Sequence, residues 1–598
     1  VKGLAAWLQC GATILAVAIT SPVLAVTEVG QRLQLKAGDL LNGFPFTEPL
    51  TISAWSPVGA TASPRHRFEG RLVLRGRAGQ GGFREWLDDY RVTAGDDSVH
   101  KHLPEFDFEF LQVGDALVPV RRGAIAGAHP YWEFILGPGR VWQETGDGDY
   151  SRAALPFSLQ EVNANCTHNG VLGFLYKQDG RMSRAAFQIS SETCAYFKFD
   201  MWGLLDATYL PGRVGRREEL ARTYEAELAS RLPRRPIAEL AREFPGVDPS
   251  AFGHPDEVSR AHITTWGVIA GGTHYTGDCP TRAGPYPFCE VLHLPSYSIA
   301  KSMFAGLALM RLERLYPGAR DRVVADYVRE CAAGGNWSDV TFENLLDMAS
   351  GNYLSATAQA DETALQTDEL FFLQHSHAAK IDYACNHFPR RAQPGKQWVY
   401  HSSDTYLLGT AMNAYLRHRN GAGADILADM VAPDVWRAID LSPTIGNPRR
   451  TTDAAAQPFT GYGLTLEPDD VAKLAQFLDP RNPLAQQRLD PGLFRAALQQ
   501  DPADRGLGAS ADGSLRYNNG FWAIRADGLP GCDEPQFIPF MSGFGGISIA
   551  LLPGGVSYYY FSDNHEHRFR RALLEAAKIR GVCEPHPSGV PRQQGRSP

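Results

Sequence analysis

The hydrophobic pattern changes character along the chain. Between residues 26 and 213 apolar positions alternate with polar ones. Phe106, Phe108 and Phe110 alternate with Asp107 and Glu109, Phe197, Phe199 and Met201 with Lys198 and Asp200, and Leu72 and Leu74 follow the same rule. A period of two puts one set of side chains on one face of a strand, so each run predicts a half-buried strand. Glycine-rich breaks at residues 79–82 and at Gly146-Asp147-Gly148 separate the runs. The expectation is a β-rich domain over 26–213, sandwich or barrel-like, without a nucleophile, metal or phosphate motif. Residues 214–244 are charged and helical, broken at Pro233 and Pro236, with Glu218, Glu219, Glu225, Glu227 and Glu239 between the arginines. They read as a helical connector rather than a basic binding patch.

A second domain, 245–583, mixes helices and strands. Its strongest run is residues 292–318, LHLPSYSIAKSMFAGLALMRLERLYPG. Ile299, Ala300, Met303, Phe304, Leu307, Leu309, Met310, Leu312 and Leu315 predict a helix stopped at Pro317-Gly318, and its first half is apolar nearly all round, as in a buried helix. Residues 340–351 predict a short helix capped by Thr341, residues 394–409 a turn, a short strand and a helix start, and residues 461–478 a turn and a helix. Apolar runs at 517–522, 542–553 and 558–561 predict consecutive antiparallel strands with helices packed on them. The fold class is therefore α+β.

Ser298 and Lys301 stand three apart at the start of the buried helix, one turn from each other on one face. A lysine entering an apolar helix is costly without a partner or a task. A serine so placed has the helix N-terminus to favour developing negative charge and an amine to take its proton, the arrangement of S-x-x-K acyl-transfer enzymes. The spacing alone is a weak signal: Ser98-Val99-His100-Lys101 repeats it where Pro104 precludes a long helix.

With 598 residues the chain exceeds one ordinary core, and a net charge of -8 with 44% hydrophobic residues gives no general pull toward nucleic acid. Residues 1–25 carry Lys2, an apolar stretch and a Val23-Leu24-Ala25 end, which reads as a cleaved secretory signal and predicts a periplasmic or secreted mature chain without stable membrane insertion. Eight cysteines remain after it. In an exported protein they suggest disulfides, and local pairing would join Cys166 to Cys194, Cys279 to Cys289, Cys331 to Cys385 and Cys532 to Cys583, although sequence does not choose among the pairings. Asn165-Cys166-Thr167 matches a glycosylation sequon. Residues 584–598 have the composition of a disordered tail.

In their order and spacing, Ser298-Ile299-Ala300-Lys301, Tyr400-His401-Ser402 and Gly543-Phe544-Gly545-Gly546, with the LLDMASG and PGKQWVYHSSDTYLLG stretches, resemble the serine β-lactamase-like superfamily. The nearest branch is that of class C β-lactamases, D-alanyl-D-alanine peptidases, family VIII carboxylesterases and 6-aminohexanoate-oligomer hydrolases. The resemblance covers residues 255–580. It implies an antiparallel sheet flanked by helices and a helical subdomain, with the serine helix buried between them. It further implies Ser298 as nucleophile, Lys301 beside it, and Tyr400 with its pKa lowered by the Lys301 charge, either of the two being the base. Ser402, Gly543, Phe544 and Gly545 would then line the substrate and oxyanion positions. Two departures bear on substrate: Ser402 replaces the asparagine of Y-x-N, and Gly543 stands where K-T-G or H-x-G carries a cation that grips a β-lactam carboxylate.

The reading that follows is an exported serine hydrolase acting on a small-molecule ester or amide, with no metal and no cofactor. A noncatalytic cell-envelope binding protein of penicillin-recognising fold and a peptidoglycan peptidase are the rivals. His375-Ser376-His377 and His565-Glu566-His567 lack the i, i+4 spacing of H-E-x-x-H, and Asp404 is expected to cap the helix after Tyr400.

Overall fold

The computed structural model describes residues 32–59, 61–76, 81–95 and 97–583. The expected signal at 1–25 and tail at 584–598 lie outside the described residues. Two large sheets dominate, one of eleven strands and one of nine.

The runs that alternate in sequence, Glu69–Arg75, Phe106–Val113 and Phe197–Pro211, are neighbours in the first sheet, with Leu72 opposite Tyr209 on one side and Phe108 on the other. The sheet closes into a barrel because Ser151–Glu161 pairs with Thr167–Tyr176 as well as with Gly139–Trp142 and Trp132–Leu136. Aromatic side chains fill the interior: Phe68, Phe110, Phe174, Phe187 and Phe199 share one core. A cavity of about 20 Å³ remains among Leu74, Phe106, Phe134, Phe157 and Phe187, roughly the room one water needs, so the barrel interior is packing rather than a ligand site. Trp132 and Trp142 are buried as well.

The outer face of this barrel is also covered. Along Thr167–Tyr176, Leu172 and Phe174 point into the barrel, whereas Val171 and Leu175 join the core that holds the serine helix. The half-buried reading of Phe197–Met201 fails for the same reason. Lys198 and Asp200 are buried, and Lys198 Nζ lies 2.8 Å from Asp563 while Asp200 lies 2.8 Å from Arg282. Alternation marked two packed layers, and the polar set faces partners from the second half of the chain instead of water.

The nine-stranded sheet contains Ile263–Ala270, Val556–Ser562, Ile547–Leu552, Gln536–Gly543, Phe521–Ala526 and Leu515–Asn518 in that spatial order, all antiparallel. Asn519-Gly520, both at positive φ, make the tight turn between the last two. Arg234–Pro236 adds a parallel edge pairing to Thr273–Thr276. One face packs on the helix Arg570–Ala576, through Phe540, Tyr560 and Leu573; the other, through Met541, Ile549 and Tyr559, packs on the serine helix. Behind that helix lie Phe342–Leu346, His377–Asn386 and Ser402–Asn420. Thr341 caps the first of these by accepting from Asn344 N. The four cysteine pairs are disulfides in the expected local pairing. No described helix is long and apolar enough to cross a membrane.

Candidate active site

The chain reaches Ser298 through a braced loop. Leu294–Pro295 pairs with Thr465–Leu466, and Ser296 N donates to Leu464 O at 2.9 Å. Tyr297 then takes φ of +40°, a conformation costly for a residue with a bulky side chain. It is held by Asn165, whose Oδ1 accepts from Tyr297 N at 2.7 Å and Gly463 N at 3.0 Å, while its Nδ2 donates to Leu464 O at 3.1 Å. Asn165 is 1% exposed and its amide is taken up by these bonds, so in the folded chain the sequon is not an open glycosylation acceptor. The amides of Ile299, Ala300 and Lys301 turn back onto the carbonyls of Ser296, Tyr297 and Ser298, which starts the helix and leaves the Ser298 N–H outside that set.

The helix opens into a wide π turn over Lys301–Gly306 before becoming regular at Leu307–Leu315. The wide turn presses on the Asn519-Gly520 hairpin, where Ser302 Oγ donates to Gly520 O at 2.6 Å. Lys301 is 1% exposed. Its Nζ lies 2.8 Å from Ser298 Oγ, 2.8 Å from Ser402 Oγ and 3.2 Å from Gly461 O. Burial pulls the amine down to about 8, against the opposing charge of Glu362.

Tyr400 is buried, its ring stacked on Trp522 and 4.9 Å below the Lys301 amine. Burial pushes its phenol well above the ordinary range and Glu362 adds to this, with a hydrogen bond to Ser298 opposing. The expected lowering by Lys301 is thus reversed: taking the phenolate out of water dominates, and the phenol stays protonated.

Glu362 escaped the sequence reading. It lies in a polar stretch without periodicity, forty residues before its partner, and no motif marks it. Its Oε2 accepts from Ser402 N at 2.8 Å and its Oε1 from Ser402 Oγ. The neighbouring Asp361 sits 3.1 Å from His401 Nε2, and Asp404 3.7 Å from His401 Nδ1. Burial works against a charged ring here, but the two carboxylates outweigh it and raise His401 to about 9. Asp404 therefore sits in the first turn facing His401, whereas the N-cap position expected for it belongs to His401.

The third stretch also meets the serine loop. A Cβ on Gly543 would stand 3.0 Å from Ser296 O, a tight contact that the serine loop would have to yield to by a few tenths of an ångström. The Phe544 ring, 44% exposed, packs at 5.5 Å from Tyr297 and 4.8 Å from His565, and Gly545 O accepts from His565 N. The structure thus gathers Ser298, Lys301, Tyr400 and Ser402 in one cluster and lays Gly543 and Phe544 along its edge. The other S-x-x-K copy is a single turn in which Ser98 Oγ donates to Val92 O and Lys101 to Gly95 O. Among the described residues, one cluster has metal-ligand spacing, Cys166, His168 and Cys194, and its cysteines are joined in a disulfide.

No family model matches the chain, and no curated protein matches it. Solved structures do. The chain is similar to a protein described as a 6-aminohexanoate-dimer hydrolase from Bacillus anthracis, at 16% identity and a TM-score of 0.41 over 58% of this chain and 86% of that one. It is similar to EstCE1, a hydrolase with promiscuous acyltransferase activity, at 17% identity and 0.43 over 57% and 99%. A class C β-lactamase mutant gives 14% identity and 0.36 over 62% and 99%. All three are of the serine β-lactamase-like superfamily. The likeness is one of fold, and the chemistry below rests on the side-chain geometry.

Proposed function

We propose that the chain is an exported serine hydrolase that cleaves an ester or amide bond through an acyl-enzyme on Ser298. The observation that carries this reading is a buried amine, Lys301 Nζ, 2.8 Å from a serine hydroxyl at the start of a helix. An amine lowered to about 8 is neutral in a useful fraction near neutral pH, so it can act as general base. As Ser298 Oγ bonds the substrate carbonyl carbon, its proton passes to Lys301 Nζ and the carbonyl electron pair moves to oxygen. When the bond to the leaving atom breaks, the Lys301 ammonium supplies that atom's proton. Water then attacks the acyl carbon, giving its proton to the regenerated amine; the bond from that carbon to Ser298 Oγ breaks, the Lys301 ammonium returns a proton to Oγ, and the acid leaves. Tyr400, held neutral by burial, acts as a hydrogen-bond donor at the reacting oxygens rather than as the base.

The oxyanion would face the Ser298 N–H and an amide of the 543–545 stretch, where one such donor is worth about 3 to 4 kcal/mol of barrier. Glycine at 543 supplies no cation to grip a carboxylate, which supports a substrate without an obligatory one, and the exposed Phe544 ring favours an apolar flank beside the scissile bond. Four disulfides suit an oxidising compartment, in keeping with export.

Intact-mass labelling with a fluorophosphonate tests the reading. Wild type is expected to gain one phosphonyl group and Ser298→Ala none; a folded wild type that stays unlabelled would mean a binding protein without a working nucleophile. Short acyl esters and linear amides should then turn over faster than nitrocefin.

A further inference from the structure

A neutral lysine amine has two N–H bonds and one lone pair, and Lys301 has three polar neighbours. Which neighbour meets the lone pair decides whether the amine can act as a base. Gly461 O can only accept, so it takes one N–H. Ser402 Oγ could either accept or donate. Its single proton, however, is claimed by Glu362 Oε1, and the second carboxylate oxygen grips the Ser402 backbone N–H at 2.8 Å, which fixes the carboxylate in place. A carboxylate has no proton to offer in return. Ser402 Oγ is therefore left as an acceptor toward Lys301 and takes the second N–H. The lone pair has one remaining direction, toward Ser298 Oγ, whose proton it must receive.

We propose that Glu362 is a positioning residue: by holding the Ser402 hydroxyl proton it keeps the Lys301 lone pair on the Ser298 hydroxyl. This rests on the reading of Ser298 as nucleophile and Lys301 as base. Glu362 bonds neither Ser298 nor Lys301 directly, so it acts through Ser402. Without the carboxylate, Ser402 can turn its proton onto the Lys301 lone pair and compete with Ser298 for it. The same carboxylate also favours the ammonium that forms when Lys301 takes the serine proton.

The test uses the full-length chain and a chromogenic short acyl ester, with kcat/KM followed across pH in wild type, Glu362→Gln, Ser402→Ala and the double variant. Glu362→Gln keeps the shape but can donate to Ser402, and it should lower kcat/KM by about tenfold to a hundredfold, as expected for a base that is present but misdirected. Because a negative charge that favours the ammonium is removed, the acid limb should move to lower pH, a shift that mere loosening of the loop would not produce. Glu362→Gln should cost far less in the Ser402→Ala background than in wild type, since only its charge, felt through space, then reaches the amine. An unmoved acid limb, or losses that multiply in the double variant, would overturn the proposal. Should Glu362→Gln not fold, Glu362→Asp replaces it: the charge is kept while the carboxylate is drawn back from Ser402, so kcat/KM should fall several-fold with the acid limb nearly in place, and a wild-type kcat/KM would overturn the inference. Phosphonyl labelling of wild-type Ser298 in the same series keeps the outcomes separate. Labelled wild type with an unmoved limb in Glu362→Gln sinks the role of Glu362, whereas unlabelled folded wild type sinks the hydrolase reading beneath it.

Discussion

Replacing Asn165 by alanine should disable the nucleophile from the other sheet. The side chain accepts from the amides of Tyr297 and Gly463 and donates to Leu464 O in a buried site. Alanine leaves both amides without an acceptor, at about 1–3 kcal/mol each, so a rigid loop would lose roughly 2–6 kcal/mol of stability. A cheaper response exists. Tyr297, at φ +40°, gains about 1–3 kcal/mol by returning to negative φ, and that rotation carries Ser298 with it. A displacement near 1 Å at the reacting atom can cost about a hundredfold in rate. The variant is therefore expected to lose about a hundredfold in kcat/KM and in the rate of fluorophosphonate labelling, with a lowered urea midpoint. Asn165→Asp keeps acceptors for both amides and should fall between the two. A variant that unfolds at the wild-type urea concentration and is labelled at the wild-type rate would refute the reasoning.

Three further outcomes are expected. Since the neutral form of Lys301 is the base, kcat/KM for an ester should rise with pH through about 8, and a flat profile from pH 6 to 9 would exclude the amine as the group that titrates. His401 is raised from 6.5 to about 9, so its contribution is fully present below pH 6.5 and is lost as pH rises through 9; the shift corresponds to on the order of 3 kcal/mol. The gap in urea stability between wild type and His401→Gln should accordingly shrink between pH 6 and pH 10. Gly543→Ala puts a Cβ 3.0 Å from Ser296 O and should slow esterolysis several-fold while leaving urea stability nearly unchanged, read by parallel kinetics and unfolding curves.

The parts of the site that sequence exposes are those whose geometry is local. Three residues on a helix fix the relation of Ser298 to Lys301 whatever the rest of the chain does, and the buried character of that helix follows from apolar residues on all sides. The disulfides join cysteines adjacent in order, so local pairing sufficed. Glu362 was hidden because nothing in its own neighbourhood distinguishes a solvated carboxylate from one folded back on Ser402. The role of Asn165 was hidden because a sequon describes three residues, while that role is set by Tyr297 and Gly463, more than a hundred residues away. Lys198 and Asp200 misled in a similar way: strand alternation separates two faces but does not say that the polar one meets water. The proton affinity of Tyr400 is likewise out of reach of local sequence, since desolvation depends on how completely Trp398 and Trp522 enclose the ring.

The hairpin that carries Asn165 belongs to the barrel, yet its amide supports the backbone behind the reactive serine. A fragment running from residue 234 to 583 would contain the hydroxyl, the amine, the phenol and the carboxylate and still lack that support. Such a truncation should yield an idle scaffold, so the two halves of this gene product have to be inherited, expressed and engineered as one.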